Sequence, residues 1–104
     1  MFKYNSNKIS LQIYFKDITY ITRDTIERKL IIYTTNNKFV ISLSLHECLK
    51  KLDSRFVVVH RACIVNKRRV VEYNWKDKYF ILDTNEKVNM LSKKYKEGIE
   101  NNVN

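Results

Sequence analysis

Apolar and polar residues alternate with a period of two along much of this chain. Ile9, Leu11 and Ile13 alternate with Ser10, Gln12 and Tyr14, and Phe39, Ile41 and Leu43 repeat the pattern. A period of two sends successive side chains to opposite faces of an extended backbone, so these stretches predict half-buried strands. Residues 18–22 and 30–34 are rich in β-branched and aromatic side chains, which pack well on a pleated surface. Shorter runs of the same kind occupy residues 57–59, 62–65, 70–73, 79–82 and 88–90. Many short, closely spaced strands predict an all-β sandwich, barrel or stacked-sheet domain.

One stretch changes period. Ser44 is followed three residues later by Glu47, a capping-box pattern, and Leu45, Cys48, Leu49 and Leu52 then fall at helical spacing. Lys50 and Lys51 lie in the last turn, where cations suit the helix dipole, and Asp53-Ser54 ends the segment. Its apolar stripe marks it for core packing and its exposed face carries few basic residues, so it does not read as a recognition helix. A short helical turn is expected between Ser92 and Gly98.

The chain has 104 residues with no proline and a single glycine, so linkers and low-complexity segments are absent. Turns fall to Asn and Asp, which tolerate positive φ and bond their own backbone, at Asn36-Asn37, Asn74 with Asp77, and Asp83 with Asn85. This length supports one domain over residues 1–104, with frayed ends at 1–7 and 101–104 and an ordered core of about residues 8–98. No apolar run is long enough to cross a bilayer and the polar start is no signal peptide, so a cytoplasmic protein without membrane contact is expected.

Two cysteines make no disulfide framework, and both are expected to pack as buried thiols. A metal site from His46, Cys48, His60 and Cys63 is disfavoured, because no CxxC or HxxxH pair is present and His46 and Cys48, two apart on a predicted helix, point to different faces. Catalysis is disfavoured too. One glycine cannot build a phosphate-binding loop, and Cys63 and His60, three apart on a strand, would face opposite ways. Neither an enzyme nor a cofactor is expected.

Charge is the first functional clue. Lys and Arg number 20 against 11 Asp and Glu, a net +9, which favours a polyanionic partner. The basic residues gather at three places beside strands: residues 23–29, the 59–62 turn continued by Asn66-Lys67-Arg68-Arg69, and Lys93-Lys94-Tyr95-Lys96. Lysine and arginine neutralise phosphates, and the planar arginine fork also matches the guanine edge in the major groove. With too few helices for a helix-turn-helix, nucleic acid would be met by loops and strand ends.

The stretch Arg55-Phe56-Val57-Val58-Val59-His60-Arg61-Ala62-Cys63-Ile64-Val65-Asn66 resembles the central motif of the LytTR DNA-binding family, output domains of bacterial response regulators of the AgrA and VirR kind. That motif runs Phe, a variable basic residue, a variable residue, His, Arg or Asn, Ser, and later Val-Asn. Asp17-Ile18-Thr19-Tyr20-Ile21, Leu45 to Glu47 in the helix, and Leu91-Ser92-Lys93-Lys94-Tyr95 follow the family order, so the resemblance spans about residues 8–97.

The resemblance implies stacked antiparallel sheets, with one short helix and a C-terminal helical turn, inserting loops into successive major grooves of double-stranded DNA. By position it assigns base contacts to Arg28, Arg61 and Lys93, and backbone or supporting roles to Lys29, His60, Lys94 and Lys96. His60 reads best as orienting the Arg61 turn through a backbone hydrogen bond, and Asn66 as a turn former. Three positions depart from the pattern. Ala62 replaces the usual Ser and its hydroxyl, Val58 a common basic residue, and Lys93 a frequent Arg.

Two copies on repeated half-sites are expected, with a receiver domain in a longer parent chain as the family arrangement the resemblance implies. The competing class is a β-platform binding single-stranded nucleic acid. It would need aromatics exposed among basic residues on one sheet face.

Overall fold

Phe2 and Tyr4 alternate with Lys3 and Asn5, and they start the fold: β1 (Phe2–Asn5) pairs antiparallel with β2 (Ser10–Ile13). The Ser6 hydroxyl closes their turn by accepting from the Lys8 and Ile9 amides at 3.2 and 3.1 Å. The computed structural model describes residues 1–100. Within it the start of the chain is ordered, contrary to the expected fraying. Phe2 and Tyr4 are buried, and the Tyr4 hydroxyl accepts from the Ser42 amide at 3.2 Å. The other expected frayed end, residues 101–104, lies outside the described residues.

The central layer is a five-stranded antiparallel sheet. Its strands are β3 (Ile18–Asp24), β4 (Lys29–Thr34), β5 (Lys38–Ile41), β6 (Phe56–His60) and β7 (Cys63–Asn66), in the order β5-β4-β3-β7-β6. Between β5 and β6 runs the helix α1 (Leu45–Lys50). It opens with the expected capping box: Ser44 Oγ accepts from the Glu47 amide at 3.0 Å, and Glu47 accepts from the Ser44 amide at 3.3 Å.

Both faces of the central sheet are covered, which explains why β3 begins with four consecutive buried residues. One face, with Ile18, Ile21, Ile32 and Ile64, packs against Phe2, Ile13 and Cys48 of the first hairpin and α1. The other, with Tyr20, Cys63 and Val65, packs against the third sheet. That sheet has the order β10-β9-β8, from β8 (Val70–Asn74), β9 (Tyr79–Leu82) and β10 (Lys87–Val88). Tyr20 links the two layers: its ring meets Phe80 edge-on at 6.2 Å, and its hydroxyl donates to the Glu86 carboxylate at 2.6 Å. Burial, then that bond, pushes the Tyr20 hydroxyl far above its ordinary range.

Two register irregularities, between Ile18 and Tyr20 and between Val58 and His60, shift the inward face along β3 and β6. The final segment folds back as the expected helical turn. A 3-10 turn (Lys93–Tyr95) leads into α2 (Lys96–Glu100), anchored by buried Leu91 and Ile99. The architecture is therefore three antiparallel sheets with little helix, as the alternation and the resemblance implied.

Turn chemistry differs in detail from expectation. Among the described non-glycine residues positive φ occurs at Arg28, Lys78 and Asn85, so only one Asn takes it. Asp24 and Asn74 instead supply side-chain acceptors at the start of their turns, to the amides of Ile26 and Asp77 at 2.9 and 2.8 Å. A basic residue then takes the left-handed position near each turn's end.

Candidate nucleic-acid interface

In the sheet order β4-β3-β7-β6, the β3–β4 and β6–β7 turns emerge at the same end. The Arg23 amide fixes the junction, donating to the Ala62 carbonyl at 2.9 Å. With strands about 4.8 Å apart, these turns sit two spacings, or about 10 Å, from each other.

The first turn is built by Asp24, whose carboxylate accepts from the Ile26 and Glu27 amides at 2.9 and 3.4 Å. The Arg28 amide donates to the Asp24 carbonyl at 3.0 Å, and Arg28 itself holds φ 56°. A non-glycine residue in the left-handed region costs about 1–2 kcal/mol. The acceptors at Asp24 hold the turn against that strain and leave the Arg28 and Lys29 side chains exposed.

The second turn is the two-residue link Arg61-Ala62. His60 Nδ1 accepts from the Ala62 amide at 3.1 Å, so the ring is neutral and carries its proton on Nε2. Burial, and then the Arg61 charge, lower its pKa below the ordinary value, in keeping with that bond. Ala62 is 5% exposed, so a hydroxyl here would face the interior and not a phosphate. The departure from Ser therefore leaves the exposed surface of the turn unchanged. Arg61 is exposed beside it and makes no hydrogen bond or ion pair with the described residues.

The third basic segment joins through the Ser92 amide, which donates to the Val59 carbonyl at 2.9 Å beside His60. Ser92 Oγ accepts from the Lys94 amide at 3.4 Å and starts the 3-10 turn that carries Lys93 and Lys94 outward. The Lys94 ammonium lies 5.7 Å from the Tyr95 ring centre. Lys96 stays exposed, with its ammonium 5.9 Å from the Trp75 ring centre and 3.8 Å from the Glu100 carboxylate.

A groove of about 310 Å³ connects these parts, with Arg23, His46, Arg61 and Tyr95 on its walls. A neighbouring groove of about 550 Å³ shares Arg23 and Ser44 and adds Arg28 and Glu47. Arg28, Arg61 and Tyr95 thus border two adjoining grooves that share Arg23 and Ser44.

A family model, the LytTr DNA-binding domain, matches residues 8–104, nearly the whole chain. The chain belongs to the LytTr DNA-binding domain family. The solved structure of a LytTr DNA-binding domain from Bacillus cereus has the same fold: it superposes with a TM-score of 0.74 at 19% identity, covering 96% of this chain and 93% of that one. No curated protein matches the chain.

Within this LytTr domain Arg28 and Arg61 line the two adjoining grooves, Lys29 follows Arg28 at the start of β4, His60 flanks Arg61, and Lys93 and Lys94 follow Ser92, which bonds to Val59 next to His60. The structure divides the second basic cluster. Lys67–Arg69 form a 3-10 turn at the far end of β7, where Arg69 binds the Asp83 carboxylate at 2.7 Å and the Lys16 carbonyl at 2.9 Å. Asn66 is a structural residue, 1% exposed, whose amide group donates to the Ile18 carbonyl at 3.0 Å while its oxygen accepts from the Arg68 amide at 3.0 Å.

His60 and Cys63 are register partners across the hairpin, not residues on opposite faces of one strand. Burial raises the Cys63 thiol well above its ordinary pKa and pushes the Cys48 thiol up to about 12. Neither sulfur is a ready nucleophile at neutral pH. Among the described residues no His, Cys, Asp or Glu cluster could hold a metal, and no helix is long and apolar enough to cross a membrane.

The sequence pattern marks His46 only as a candidate metal ligand. Its place in the groove depends on α1 packing beside the β6–β7 turn, which no local pattern encodes. Among the described residues Tyr14 is the one exposed Phe, Tyr or Trp, and the others are half-buried or buried.

Proposed function

We propose that this chain binds double-stranded DNA sequence-specifically, as a bacterial transcription regulator or the output domain of one, with its β3–β4 turn, β6–β7 turn and Ser92–Tyr95 segment facing the major groove. The observation that carries this reading is the convergence of all three basic segments at one end of the sheet, tied by the Arg23–Ala62 and Ser92–Val59 backbone bonds. The first two turns stand about 10 Å apart by strand spacing, so they present one basic edge to the duplex.

Arg28, Arg61 and Lys93 contact base edges in this arrangement, and Lys29 and Lys94 neutralise phosphates. His60 supports the Arg61 turn through its bond to Ala62 and touches no base. Lys96 steadies the third segment through Trp75 and Glu100. Arg61, a free planar fork, suits a guanine edge, whereas Lys93 contributes a point charge. A single copy offers few contacts, so two copies bind repeated half-sites, in the cytoplasm, with a receiver domain where the parent chain carries one.

Selection of bound duplexes from a random pool tests the proposal. The expected result is one enriched motif, repeated at a spacing near a helical turn, with affinity that falls steeply as salt rises. Recovery of no motif, or equal binding of single-stranded and duplex DNA, overturns it.

A further inference from the structure

We propose that Ile26 is a specificity-determining residue that recognises thymine, packing its side chain on the 5-methyl group in the major groove; this rests on the duplex-binding reading above. Ile26 is 91% exposed, whereas the next most exposed large apolar residue, Val71, is at 65%. It occupies the tip of the turn that Asp24 braces from below, so the fold holds an apolar side chain out into water. Arg23, Arg28 and Lys29 surround the turn, and their charge brings the tip to a polyanion.

The major-groove edge of a duplex offers one apolar group, the thymine C5-methyl, and a branched aliphatic side chain is complementary to it. Glu27 narrows the placement. Phosphates repel its carboxylate, while cytosine N4 and adenine N6 carry amine donors that it can accept from. The tip is therefore directed at base edges rather than at the sugar-phosphate backbone.

Replacing thymine by deoxyuridine deletes only the 5-methyl group. In the selected duplex each thymine is replaced in turn, and the Kd is measured for the wild-type chain and for Ile26→Ala at fixed salt. One replacement is expected to weaken the wild type about fourfold, the worth of one methyl group withdrawn from water, and to leave Ile26→Ala unaffected. Ile26→Ala should keep the wild-type unfolding midpoint, because the side chain packs against almost nothing. If no single replacement matters to the wild type, or if both proteins lose equally, the thymine assignment is overturned while duplex recognition stands. A wild-type chain that prefers no duplex overturns the functional reading and this assignment together.

Discussion

Under the proposed function, removing the Arg61 side chain separates sequence reading from folding. Arg61 is exposed and has no hydrogen-bond or ion-pair partner among the described residues, and both backbone groups of the adjacent Ala62 stay tied to His60 and Arg23. Arg61→Ala should therefore leave unfolding free energy within about 0.5 kcal/mol of wild type. A bidentate arginine contact to a base pair contributes about 1–3 kcal/mol of discrimination, which converts to a 5- to 160-fold loss on the selected duplex. On a scrambled duplex the loss should be small, since no phosphate partner is removed. The slope of log affinity against log salt should also stay nearly constant. Fluorescence anisotropy with both duplexes over a salt series reads all of these quantities. A fall by the same factor on the selected and scrambled duplexes would refute the base-reading role, because only a general electrostatic contribution behaves that way.

Other residues give contrasting outcomes. Lys94→Ala should weaken every duplex alike and reduce the salt slope by about 1, as measured in the same titrations. The His60 pKa is lowered in the fold by burial first and Arg61 second, so the unfolded chain takes the proton first as pH falls below the ordinary value of 6.5. The free domain should lose stability on acidification through that range, and His60→Asn should flatten the loss in urea melts between pH 7.5 and 5.5; identical profiles would remove His60 as its source. Phe2→Ala should cost about 3–5 kcal/mol by denaturant titration, since the ring is fully buried, and an unchanged midpoint would mean that the first strand is dispensable.

The elements with local causes were legible in the sequence. The capping box of Ser44 and Glu47, the Asn36-Asn37 hairpin and the alternation through β2 and β5 each depend on neighbours within a few residues, and the structure shows all of them. The first strand escaped because Phe2 and Tyr4 provide only two apolar positions in a polar stretch. They become core residues by covering a sheet formed much later in the chain.

The interface was legible as three basic segments but not as one surface. What joins them are pairings across long sequence separations: Arg23 with Ala62, and Val59 with Ser92. Such pairings follow from strand order, which local pattern does not determine, and the same order places Lys67–Arg69 at the opposite end of β7 from Arg61. Adjacency in sequence therefore misled in the second cluster, where four buried strand residues separate the Arg61 turn from the next basic turn. At about 3.3 Å per residue that strand separates the two turns by roughly 10 Å or more. Arg61 is consequently free to meet a partner, while Arg69 is held by Asp83 and Lys16. Two arginines eight positions apart carry different physical roles because β7 points them at opposite ends of the sheet.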